Sequence, residues 1–200
     1  VISARYNVVQ GGLSSTATQV QTYQGTAVFQ GQNAIRVTVQ ETRQATGVPD
    51  VLYAGTNYVT LANNAAVMLL GTVASFDQSG TTWSQTLALS PAQPDLDFAL
   101  AAGAARSSSS SVSVSFSPAA PTPTTFTAAS TLTFAGFETV TVPAGTFANA
   151  CKFVLDLTAS SNQTTTRWIA RGSGVMLRSV SGTTTQELVS ATLDGNAVSQ

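Results

Sequence analysis

The sequence predicts an all-β protein, and three observations carry that expectation. Apolar and polar residues alternate with a period of two along most of the chain, turn-forming residues break the alternation at short intervals, and helical spacing is scarce. Ile35, Val37 and Val39 alternate with Arg36, Thr38 and Gln40. Val112, Val114 and Phe116 stand between serines, and Phe153, Leu155 and Leu157 alternate with Val154 and Asp156. Each triplet is expected to share one dry face of a strand.

Turn chemistry separates these runs. Gln30-Gly31-Gln32-Asn33, Ala62-Asn63-Asn64, Gln78-Ser79-Gly80, Ser181-Gly182 and Asp194-Gly195-Asn196 all supply residues that tolerate positive φ, so short strands joined by tight turns should form antiparallel meanders. The pattern weakens between about Ser90 and Thr125, where Pro91, Pro94, Pro118, Pro121 and Pro123 surround the serines of Ser107 to Ser111. Proline cannot donate to a ladder, which predicts an edge or a crossing segment there. At most one short helix is expected, over Asp95 to Ala105, with Asp95 as its cap and Gly103 shortening it, a single turn or coil being the alternative.

The flanks of that middle segment read alike. Gly25–Phe29, Ala34–Val39, Tyr58–Leu61 and Val67–Leu70 precede it; Gly136–Val142, Cys151–Leu157, Thr166–Ala170 and Val175–Val180 follow. An internal duplication and two unrelated meanders of similar strand length both fit that order. The expected organisation is one continuous domain: a first meander half over residues 1–90, a crossing segment over 91–125 and a second half over 126–200. Such meanders give a curved half-barrel or a two-sheet sandwich.

Composition bounds the function. Aliphatic and aromatic residues make up 43% of the 200 residues, enough for an ordinary core without metal or disulfides. Charged residues are only 8%, against roughly 25% in typical soluble domains. Serine, threonine, glutamine and asparagine meet water instead, which points to an extracytoplasmic place: periplasm, outer surface or secreted. A net charge of −1 and a single lysine, Lys152, argue against nucleic acid as a partner. The most apolar stretch, Ala65 to Ala74, is too short for a transmembrane helix, which needs about 20 residues. Val1 reads as the product of processing. The lone Cys151 is expected to be a buried small hydrophobe, the alternatives being a reactive thiol beside Lys152 or a bridge between chains.

The segment from Glu138 through Val140, Val142 and Pro143-Ala144-Gly145 to Phe147, followed by Cys151-Lys152-Phe153 and by Trp168 to Val175, resembles a recurrent C-terminal pattern of exported proteins and lipoproteins of Gram-negative bacteria. Some of these are similar to the curved half-barrel of the outer-membrane lipoprotein carriers. The resemblance covers about the last third of the chain, and it implies a cell-envelope location and a concave apolar surface but no catalytic residues. Physically the motif reads as architecture: Val140 and Val142 end a strand, Pro143-Ala144-Gly145 turns the chain, and Phe147 packs back under the next strand.

Catalytic chemistry has few candidates. With no histidine there is no Ser-His-Asp triad, Cys-His pair or histidine-ligated metal, and one cysteine cannot build a thiolate cluster. Gly172-Ser173-Gly174 reads as a hairpin turn rather than a nucleophile elbow. Asp95 and Asp97 are the closest carboxylate pair, in a context that favours a turn or cap over a glycosidase dyad or a calcium site. Arg167, Arg171 and Arg178 fall near Trp168 and are candidates for a surface contact through cation–π geometry. Asn162-Gln163-Thr164 is a formal glycosylation sequon, silent in a bacterial setting.

Two functions follow as expectations, neither an enzyme and neither with a cofactor or metal. In one, a binding module holds an apolar or lipid ligand, or a partner protein, in a groove lined by Phe29, Ile35, Val37, Met68, Phe153, Leu155, Trp168 and Met176. In the other, the chain is a subunit of a self-assembling extracellular fibre or surface layer, its exposed β-edges pairing with homo-oligomeric or filament neighbours.

Overall fold

A computed structural model of the chain describes residues 1–63, 65–118, 122–157 and 163–198. It is all-β. Thirteen strands succeed one another: Ile2–Gln10 (β1), Leu13–Phe29 (β2), Gln32–Ala45 (β3), Val48–Ala62 (β4), Ala66–Gln78 (β5), Thr81–Asp97 (β6), Ala105–Ser117 (β7), Thr124–Val142 (β8), Gly145–Asp156 (β9), Thr164–Ile169 (β10), Met176–Ser181 (β11), Thr184–Leu193 (β12) and Asn196–Ala197 (β13). Each pairs antiparallel with its successor, as a meander should.

β1 also pairs with β12, from Ile2 opposite Leu193 to Gln10 opposite Thr184. Twelve strands therefore close into a barrel, with β13 a short return on β12. This corrects the expected half-barrel or sandwich. Closure also removes the long free edges that the fibre expectation invoked.

Alternation decides which residues face inward. In β1, Ile2, Ala4, Tyr6 and Val8 are buried while Arg5, Asn7 and Val9 are exposed. Val37, Val39, Val112, Val114 and Phe153 are buried, whereas Phe116, at the end of its triplet, is exposed at the barrel rim. The outward row is largely hydroxyl and amide, as in Thr18, Gln40, Ser109, Ser111, Thr125 and Thr127, all exposed. Among the described residues no helix is long and apolar enough to cross a membrane.

Hairpin turns obey the sequence. Gln30-Gly31, Ser79-Gly80 and Asp194-Gly195 each join directly paired strand ends with both residues at positive φ, the twist that matches flanking antiparallel strands.

The middle of the chain differs from expectation. Ser107 to Ser111 lie in β7, a wall strand paired with β6 on one side and β8 on the other. Ser110 Oγ donates to the Pro91 carbonyl at 2.7 Å and Ser108 bonds Ser130 at 2.9 Å, so serine satisfies the inner face as well as the outer. Crossing is confined to the stretch after Ser90. There β6 bulges, and its last residues pair with β5 alone. Leu96 and Leu100 pack on Leu132, Phe134, Cys151, Phe153 and Ile169 of the opposite wall.

No helix forms over Asp95 to Ala105. Asp95 to Asp97 stay in β6, and turns follow in which Asp97 Oδ1 accepts the Ala99 N–H at 3.0 Å. The ladder to Ala66 and Val67 of β5 commits this backbone to an extended course, and Asp97, fully buried, is ion-paired to Arg106 at 2.6 Å.

The largest core cluster sits beside that crossing. The β8–β9 hairpin tip reaches past β10 and β11, and Ala144 N–H donates to the Leu188 carbonyl at 2.9 Å. Val140, Val142 and Phe147 from the tip bury themselves with Tyr6, Val8, Trp168, Leu177 and Leu188.

Candidate functional site

The barrel is not filled everywhere. Two cavities occupy the interior between β1–β6 and β10–β11, one of about 420 Å³ and one of about 450 Å³. Both are lined by Gln19, Gln21 and Asn57, so a belt of amides divides one lumen into two compartments. Volumes in this range suit a small organic ligand.

The larger wall area of the 420 Å³ compartment is apolar. Ile35 and Val37 of β3, Val59 and Leu61 of β4, Val67 of β5 and Met176 of β11 converge on it. Tyr23 and Leu61 line it yet are 61% and 48% exposed, which puts them at its mouth. Arg167 enters from β10 and is held by Asp95, through the carboxylate at 2.8 Å and the main-chain carbonyl at 2.6 Å.

The second compartment is polar and aromatic. Gln21 Nε2 donates to Gln19 Oε1 at 2.7 Å, Gln19 Nε2 donates to Glu41 Oε2 at 3.0 Å, and Arg43 pairs with Glu41 Oε1 at 3.1 Å. Tyr53 lies against its own strand because Gly55 has no Cβ, whose place the phenol ring occupies. An edge contact to Phe76 (5.1 Å) and a stack of Phe76 on Trp83 (3.9 Å) continue the aromatic row. Burial, and secondarily the Glu41 charge, raise the phenol pKa values of Tyr6 and Tyr53, so both hydroxyls stay protonated donors.

The anticipated groove residues separate. Ile35, Val37 and Met176 line the lumen. Phe153 and Leu155 belong to the filled cluster under the crossing segment. Met68 falls between Val67 and Leu69 on the outer side of β5. Phe29 stacks on Tyr58 at 4.3 Å over Gly71, on the outer wall. Trp168 is buried in the cluster shared with the β8–β9 tip.

The three arginines also part. Arg167 turns into the lumen, Arg178 pairs with Glu187 and lies 5.8 Å from the Trp168 ring, and Arg171 sits 5.4 Å from Phe137. Lys152, which the sequence did not link to Trp168, lies 5.2 Å from its ring and pairs with Glu138 at 2.8 Å. Asp95 and Asp97 each have an arginine of their own. Cys151 is buried, and that burial raises its thiol pKa. Asn162 of the sequon lies outside the described residues.

Sequence reading missed Tyr6, Gln19, Gln21, Glu41, Arg43, Tyr53 and Asn57. A signal existed: the inward row Ile35, Val37, Val39 continues at the same parity to Glu41 and Arg43, charges on a dry face. Comparison with protein-family models, with curated proteins and with solved structures returns no match, so the functional reading rests on the chemistry of the lumen itself.

Proposed function

We propose that this protein is a non-catalytic, extracytoplasmic binding module whose barrel lumen receives an apolar or amphipathic small molecule. The observation that carries the reading is the 420 Å³ compartment, where apolar side chains from both sides of the barrel converge without filling the space between them. Strands of a closed barrel hold such a cavity open because each is hydrogen-bonded on both sides and cannot collapse inward.

Three features support the rest of the reading. The absence of histidine and the pairing of Glu41 and Asp95 with arginines leave the lumen without an evident proton shuttle. An outer face of hydroxyls and amides with few charges suits an exported protein of the cell envelope. The resemblance of the Glu138 to Phe147 segment to exported Gram-negative proteins agrees with that place. Assembly into a fibre loses its main support, since closure leaves few strand edges to donate.

The test is uptake of a neutral fluorescent probe, N-phenyl-1-naphthylamine, by the purified chain. Saturable enhancement is expected, and it should be lost in Ile35→Trp or Val67→Trp, which fill the compartment while the far-UV circular dichroism remains β-type. Enhancement no greater than that of the urea-unfolded chain would overturn the reading.

A further inference from the structure

Resting on the lumen as a binding site, we infer that its ligand is a neutral amphiphile: a hydrocarbon body beside Ile35, Val59 and Val67, and an uncharged hydroxyl or amide head at the Gln21–Asn57 belt. The charges of the lumen are balanced in pairs, and of Arg167 only the buried Nε–H keeps no hydrogen-bond partner. Arg43 is paired with Glu41, and Arg167 is bound twice by Asp95. Beyond that single Nε–H, a carboxylate head would have to strip an arginine from its partner, leaving a partly buried carboxylate unpaired, and a cationic head would strand an arginine in the same way.

Neutral hydrogen-bonding capacity remains open. Among the described residues, Gln21 donates through Nε2 while its carbonyl oxygen has no protein partner. Asn57 accepts from Thr72 Oγ1 at 2.9 Å through Oδ1 while its amide N–H groups have none. The hydroxyls of Tyr6 and Tyr53 are likewise unbonded and, being held protonated, can donate. Donor and acceptor thus stand at one belt, the pairing that an alcohol or amide requires and an ion does not.

Position follows from the shared lining. Gln19, Gln21 and Asn57 bound both compartments, so a tail lying in the apolar one brings its head to the belt. Removing a buried hydrogen-bond partner costs a neutral ligand about ten-fold in affinity.

The experiment is displacement of N-phenyl-1-naphthylamine by 1-decanol, decanoate and decyltrimethylammonium, all below their aggregation limits. Decanol is expected to displace at least about ten-fold more tightly than either ion. Gln21→Leu and Asn57→Leu should each lower the ratio of decanol affinity to probe affinity about ten-fold, which separates the belt from simple hydrophobicity. Glu41→Gln, which frees Arg43 from its carboxylate, should raise decanoate affinity about ten-fold. Probe uptake with decanoate or the ammonium bound as well as decanol, or with decanol indifferent to both belt substitutions, overturns the neutral-head assignment and leaves the lumen reading standing. Failure of the probe to enter at all overturns the lumen reading, and the head assignment with it.

Discussion

The two sides of the barrel are built from the same alternating strands and end up differently, one solid and one hollow. On the solid side, β8 to β12 and β1 are covered by pieces that leave the wall: the segment after Ser90 and the β8–β9 tip, which deliver Leu96, Leu100, Val140, Val142 and Phe147. On the hollow side, the segment after Ser90 only borders the space with Asp95 and Leu96, and the inward row of β2 to β4 carries Gln19, Gln21, Glu41, Arg43 and Asn57 among its aliphatics. A wide barrel does not fill itself from its own wall. Insertion decides packing.

Truncation should expose that contrast most strongly. Phe153→Ala, at a residue 1% exposed, is expected to cost about 3–5 kcal/mol, whereas Ile35→Ala beside the cavity should cost about 1 kcal/mol. Urea unfolding of both variants measures the difference, and equal losses would mean that the two sides are packed alike.

The crossing segment can be loosened separately. Asp97→Asn weakens the ion pair to Arg106 while keeping shape, and the expected loss is about 2 kcal/mol, moderated because Arg106 is 39% exposed. Limited proteolysis should then cut first between Asp97 and Ala105. Cleavage elsewhere would show that the pair does not anchor the crossing.

On the hollow side, Gly71→Ala would set a Cβ against the Leu87 carbonyl and the Phe29 ring. A backbone oxygen cannot swing aside as a side chain can, so a loss of about 1–2 kcal/mol is expected in thermal unfolding. Unchanged stability would mean that β5 and β6 are more yielding here than their ladder implies.

The smallest effect belongs to the outer pair of the solid side. The Lys152 hydrogen bond, followed by the smaller contributions of the Lys152 charge, Trp168 and Arg178, lowers the Glu138 pKa against the opposing effect of desolvation. A depressed carboxylate pKa gives stability that is present above the ordinary carboxylate range and fades as pH falls through the folded value. Lys152→Met should therefore cost under about 1 kcal/mol at neutral pH, both groups being partly exposed, with the gap to wild type closing on acidification. A gap that persists at low pH would assign the loss to packing over Trp168.

Reading the chain residue by residue recovered the strands because the alternation of Ile35, Val37 and Val39, or of Val112 and Val114, is a local property of the pleat. The same parity, carried two steps further, reaches Glu41 and Arg43 and would have pointed into the lumen. Phe29 could not be placed that way. A register break between Tyr23 and Thr26 against β3 shifts the end of β2, and Phe29 lands outside on Tyr58. Trp168 faces away from its neighbour Ile169 in the cavity lining by simple alternation, being paired across β9 with Lys152 rather than with Phe153.

What the amino-acid order determined alone was short-ranged: strand periodicity, hairpin turns at Gln30-Gly31 and Ser79-Gly80, a surface of hydroxyls, and a chain without histidine. Closure, the bulges, the choice between solid and hollow interior, and the pairing of Arg167 with Asp95 belonged to the tertiary structure. They depend on residues far apart in the chain, such as Ile2 against Leu193, whose meeting is set by the summed twist and register of every strand between them.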